Sequence, residues 1–160
     1  MGVMRLTLST TLNAPVGRVW AHVQQPALLR FVAAPLQTFE PLRPATWPAR
    51  WAAGEYVVHV RVLGVRLSGT HCISVSFPDP DTMRGRERFE LHDHGHGRLA
   101  RTWNHDIIVQ ALPDGRTRYT DRVEVRAGLF TPFVWAYAQV FYRHRQRRWR
   151  QLVRQAFRGL

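Results

Sequence analysis

Met4, Leu6, Leu8, Thr10 and Leu12 fall on one side of a period-two segment, which predicts a β-strand over residues 3–12. The pattern breaks at Asn13-Ala14-Pro15, where Asn13 is a candidate N-cap and Pro15 suits a first helical turn. Val16, Val19, Trp20 and Val23 then recur at helical spacing until Pro26. Pro26 to Ala33 predicts a second short helix, stopped before Pro35. A loop bearing Pro and Trp follows (PLRPATWPARW, residues 41–51), and beyond it the period is two again. Tyr56, Val58, Val60 and Val62 alternate with polar partners, as do Leu67, Gly69, His71, Ile73, Val75 and Phe77. Residues 83–91, 98–111 and 116–126 continue the alternation. Between the last two, Pro113-Asp114-Gly115 predicts a three-residue hairpin loop with Gly115 left-handed. A two-residue turn would put Arg118 and Arg122 on the apolar face. From Thr131 to Arg158 the period turns helical in one long segment. The order of one strand, two short helices, a run of strands to about residue 127 and a long helix predicts an α+β class with an antiparallel sheet. No repeat or linker divides residues 1–160, so one domain is expected.

Two stretches carry a family resemblance. LNAPVGRVWAHVQQPALL (residues 12–29) and YTDRVEVRAGLFTPFVWAYAQVFYRHRQRRWRQL (residues 119–152) are similar to the START-related (SRPBCC) helix-grip superfamily. Within it, they look like the ligand-binding, polyketide cyclase/dehydrase-like branch. The resemblance implies a curved, seven-stranded antiparallel sheet wrapped around a long C-terminal helix, with two short helices after the first strand. It also implies a cavity for a mostly apolar small molecule. The superfamily hosts carriers, cyclases and hydrolases and has no universal catalytic motif, so no catalytic residue is carried over.

Taking the more apolar parity of each strand as inward gives a list of candidate cavity residues. His71 lies among Ile73 and Val75, and Glu87 lies between Gly85 and Phe89. Arg101, Trp103 and His105 precede Ile107 and Val109, and Asp121 lies between Tyr119 and Val123. In the hairpin register above, Ile107 faces Asp121, so His105 and Asp121 are diagonal neighbours. Isolated buried charges are costly, so these five ionisable groups should pair with one another or meet a ligand. A satisfied buried network without chemistry is the plain alternative.

On the long helix, Val134, Phe141, Leu152 and Ala156 form a stripe flanked by Tyr137 and Ala138. Arg143, Arg147, Arg150, Arg154 and Arg158 lie opposite, as a solvated basic face. Arg145 and Arg148 fall on the apolar side, where a contact from one of them to Glu87 or Asp121 is expected. Trp47 and Trp51, in the irregular loop, are candidates for a lid over the cavity. Trp20, Trp103, Phe133, Trp135, Tyr137, Phe141 and Tyr142 could line it, and each singly also fits plain core.

Composition narrows the function classes. The net charge is +12, and all 23 basic residues are arginine. A polyanion therefore stays among the possible partners, through weak and salt-dependent nucleic-acid or membrane binding by the arginine helix. No apolar run approaches the roughly 18 residues that span a bilayer. The lone Cys72 excludes an intrachain disulfide and fits a reducing compartment, so a cytoplasmic protein is expected. Its parity, opposite to His71, predicts the outer sheet surface, with no basic residue placed to activate it. LHDHGHG (residues 91–97) alternates His92, His94 and His96 around Asp93. Two glycines there suggest a flexible hairpin tip, so no metal site and no cofactor are expected. No nucleophile elbow, phosphate loop or dinucleotide fingerprint occurs.

These observations predict a binder of a small hydrophobic molecule, such as a lipid, polyketide or aromatic metabolite. The alternative is a cyclase, dehydratase or aromatase, with His105 and Asp121 as the base pair and Arg101 stabilising negative charge. Expected ligand contacts are His71, Glu87, Arg101, Trp103, His105, Tyr119, Asp121, Tyr137, Phe141, Arg145, Trp47 and Trp51.

Overall fold

In the computed structural model, which describes residues 2–67, 69–78 and 87–160, the period-two opening is strand β1 (Met4–Leu12). Leu6 and Leu12 point into the core, while Arg5, Thr7, Ser9 and Thr11 are exposed. Helices α1 (Val16–Val23) and α2 (Pro26–Ala33) occupy the spans their spacing predicts. The cap of α1 differs from expectation. Pro15, not Asn13, is the N-cap, at φ −64° and ψ 146°, and its carbonyl accepts from the N–H groups of Arg18 and Val19 at 3.0 and 3.2 Å. Asn13 stands two residues too early to reach the first turn, and no side chain caps that end.

Part of the loop read from the sequence is strand. Among the described residues β2 (Gln37–Arg43) bonds only to β3 (Gly54–Val62), with a register shift between Pro41 and Arg43. An edge position tolerates Pro41, whose nitrogen cannot join a ladder. A two-residue β4 (Val65–Arg66) folds back on β3. The strand expected over 67–77 is the shorter β5 (His71–Ser76), because Gly69 is left-handed at φ 84°. β6 (Arg88–Gly97) replaces the strand expected over 83–91; residues 83–86, Gly85 among them, lie outside the described residues. β7 (Thr102–Ala111) and β8 (Thr117–Arg126) follow.

The strands form one antiparallel sheet in the order β1-β8-β7-β6-β5-β3-β2. Around the β7–β8 turn, Leu112 donates to the Arg116 carbonyl at 2.8 Å, leaving Pro113-Asp114-Gly115 as the loop. Gly115 is left-handed at φ 80°, and Ile107 pairs with Asp121 as predicted.

Helix α3 (Thr131–Arg154) lies against β1, β8 and α2, in the grip of the sheet. It buries Ala138, Phe141, Tyr142, Arg145, Gln146, Trp149 and Leu152, steps of three and one that trace a single face. Trp149 is fully buried. Enclosing a tryptophan removes on the order of 200 Å² from water, which favours folding by roughly 5 kcal/mol before entropy is counted. The helix stops short of the expected Arg158. Ala156 and Phe157 are left-handed at φ 52° and 63°, so Ala156 is an exposed turn residue rather than part of the stripe.

Candidate ligand cavity

Between the inner face of the sheet and α3 lies a cavity of about 550 Å³. Its walls are mainly apolar: Val60, Ile73, Val75, Leu91 and Ile107 from the sheet, Leu28 from α2, Phe141 from α3. Leu99, Phe130 and Phe133 also line it and are 53%, 70% and 74% exposed, so they mark its mouth. This rim joins the β6–β7 turn to the start of α3. It is not the tryptophan loop: Trp51 is buried in the wall, edge-on to Tyr56 at 4.8 Å, and Trp47 packs behind it at 5.8 Å without lining the cavity. The expected lid is core.

Of the residues expected at the cavity, His71, Trp103, His105, Tyr137, Phe141, Arg145 and Trp51 line it. Tyr119 and Asp121 are fully buried behind that wall. Glu87 and Arg101 are corrections, since both are exposed and neither lines the cavity. Glu87 precedes β6 with left-handed backbone, φ 43°, which breaks the alternation. Arg101 sits before β7 in a turn closed by the Gly97 N–H donating to the Ala100 carbonyl at 2.8 Å. Strand parity does not extend through either break.

The polar end of the cavity is built around Asp121. Its carboxylate accepts from His105 Nε2 at 2.7 Å, from the Tyr119 hydroxyl at 3.0 Å and from Gln146 Nε2 at 3.0 Å. Gln146 also donates to the carbonyl of Leu8, the cross-strand partner of Asp121. Burial works to raise the Asp121 carboxyl, but the His105 hydrogen bond, the Arg145 charge and the Gln146 bond outweigh it and hold it low. Burial lowers His105 in spite of Asp121. The pair is therefore a neutral imidazole donating to an ionised carboxylate. With Nε2–H committed, Nδ1 has no hydrogen-bond partner among the described residues.

Arg145 does not make the expected ion pair, and neither does Arg148. Among the described residues neither meets Glu87 or Asp121. Asp121 is already served by three donors. The Arg145 guanidinium instead lies 5.2 Å from the Tyr142 ring centre and 5.7 Å from that of Phe141. Its Nε is buried without a partner among the described residues. Arg148 donates to the Phe31 carbonyl at 3.2 Å and lies over the Phe31 ring at 4.1 Å. The other five arginines of the helix face, Arg143 to Arg158, are exposed as expected.

Asp93 was not foreseen at the cavity. It lines the wall, accepts from the Ser74 N–H at 2.9 Å, and burial pushes its carboxyl up to about 7. The signal for it was Leu91, buried two residues earlier on the same parity. Beside it, burial and the charge of His96 hold His71 down to about 4. Cys72 takes the outward parity but is buried, and its thiol is raised chiefly by burial. His96 stands directly across from it, contrary to the expectation of no neighbouring base.

No family model matches the sequence, and no curated protein matches it. Solved structures do. A START superfamily protein from Mycobacterium smegmatis aligns over 97% of this chain and 99% of its own, with TM-score 0.70 and 14% identity. The Zhui aromatase/cyclase from Streptomyces sp. R1128 aligns over 95% and 92%, with TM-score 0.58 and 15% identity. Ara h 8.0201 aligns over 96% and 99%, with TM-score 0.63 and 10% identity. A long helix held by a seven-strand antiparallel path, two short helices after the first strand and whole-length overlap with these structures give the chain the helix-grip fold that they share.

Proposed function

We propose that this protein binds a small, mostly apolar molecule that carries a carboxylate or carbonyl oxygen. The observation behind this is Arg145, 4% exposed in an apolar cavity wall and without a carboxylate contact among the described residues. The ionised Asp121 balances its charge only through space, no carboxylate among the described residues touches it, and a ligand oxygen in the cavity would supply the missing direct partner. A cavity of about 550 Å³ is of the size that encloses drug-sized ligands. Native mass spectrometry of protein purified without added ligand, followed by denaturing extraction, tests this. A stoichiometric acidic or carbonyl-bearing molecule released on denaturation is expected. An empty protein that also takes up no long-chain carboxylate in titration overturns the reading.

A second reading is acid–base catalysis on such a molecule, and the His105–Asp121 geometry favours it. Nδ1 of a neutral His105 would accept a proton while Asp121 stabilises the imidazolium that forms. Arg145, rather than the exposed Arg101, would meet developing negative charge. One structural neighbour bears the name aromatase/cyclase. Replacing His105 with Asn separates the readings. An enzyme loses roughly 10²–10⁴-fold in turnover, whereas a carrier keeps its ligand.

A further inference from the structure

The outer face of the sheet, opposite the cavity, gathers a second set of titratable groups. His92 and His94 stand two apart on β6, and Asp106 on β7 is the cross-strand partner of His92. His92 Nδ1 lies 3.5 Å and His94 Nε2 lies 3.4 Å from one and the same oxygen, Asp106 Oδ1. One ligand atom from each of the three residues lies within 4.8 Å of the others. An ion bound tetrahedrally at ~2.0–2.1 Å holds its ligand atoms ~3.4 Å apart. Two of the three edges already have that length.

The hydrogen bonds around His92 decide which nitrogen is available. Its Nε2 meets Glu90 Oε2 at 3.0 Å, and Glu90 Oε1 accepts from Arg88 Nη2 and Nε at 2.7 and 3.1 Å. An ionised carboxylate can only accept, so Nε2 carries the proton. In the neutral ring Nδ1 then turns a lone pair toward Asp106 Oδ1, itself a lone-pair donor. Two such atoms at 3.5 Å call for a cation between them. A carboxylate behind a histidine is also the arrangement that orients metal-bound imidazoles.

Rigidity completes the case. The sequence suggests a flexible tip here, but Arg88–Gly97 is a strand paired on both sides, with β5 and β7. We propose that His92, His94 and Asp106 bind one divalent transition ion of the zinc type, with Glu90 behind His92 and the remaining coordination open to water. Two imidazoles exclude the hard ions calcium and magnesium, which take oxygen ligands.

The test is titration of chelator-stripped, tag-free protein with zinc and with cobalt(II) near neutral pH. One ion per chain at micromolar concentration is expected, with the visible absorption of four-coordinate cobalt. His94→Ala and Asp106→Asn should each weaken binding by at least ~10-fold, and Glu90→Gln by ~10–100-fold. His96→Ala, one step further along the same face, should change nothing. Thermal unfolding of each variant checks that the fold is intact. Absence of 1:1 uptake overturns the site and leaves a doubly protonated His92 bridging Glu90 and Asp106. Uptake that survives both His94→Ala and Asp106→Asn, or that depends on His96, overturns it equally.

Discussion

Asp93 and His71 face one cavity with opposite proton habits. His71 titrates near 4 in the fold against 6.5 unfolded, so its contribution is complete above 6.5 and is lost as pH falls toward 4. Asp93 titrates near 7 against 3.8, so its contribution is complete below 3.8 and is lost as pH rises through 7. Between about 4 and 6.5 the two slopes oppose each other and flatten the profile. Asp93→Asn keeps the acceptor for the Ser74 N–H and removes the titrating carboxyl. The variant should gain on the order of 1–3 kcal/mol above pH 7, short of the full value because the side chain is only half-buried. Near pH 4 it should match the parent, and between those limits its stability should fall with acid more steeply than the parent's. Equal differences in melting temperature at pH 5 and pH 8 would refute this account. The same residue shows why part of the site was hidden in the sequence. Asp93 shares its parity with Gly95 and Gly97, and glycine carries no hydrophobic signal. His105 and Asp121 were legible because Ile107, Val109, Tyr119 and Val123 mark their parity on both strands.

Among the elements, β6 is the one whose sequence misleads most. Its glycines make room rather than a turn. A Cβ on Gly95 would stand 2.8 Å from His71 Nε2 and 2.9 Å from the Cys72 carbonyl oxygen. One on Gly97 would stand 2.8 Å from His71 Nδ1. The imidazole thus lies across a strand stripped of side chains beneath it. Gly95→Ala should cost about 1–3 kcal/mol, read as a lower urea midpoint at unchanged slope, because the backbone carbonyl cannot yield as a side chain can. A neutral effect would mean the ring is free to move aside. Elsewhere the punctuation was plain. Pro15, Pro26 and Pro35 bracket α1 and α2, and those spans follow from them. β2 was not legible. Its QTFEPLR offers a proline and two strong apolar residues, Phe39 and Leu42, that fall on opposite parities, because an edge strand has little to bury on either side.

At the scale of the molecule, one sheet presents two differently furnished faces, and β6 serves both. Leu91 and Asp93 look into the cavity, while His92 and His94 look out. The net charge of +12 is carried largely by the outside, where the arginine face of α3 is solvated. Among the described residues no helix is long and apolar enough to cross a membrane. The first strand of the chain lies beside the last, with Met4 opposite Val125 and Leu12 opposite Thr117, and α3 then covers both. During synthesis, β1 therefore waits for nearly the whole chain before its own partner exists. The apolar inner faces of the growing sheet stay uncovered until the final helix leaves the ribosome. For this protein, translation speed and chaperone access while β8 and α3 are being made bear on how the cavity closes.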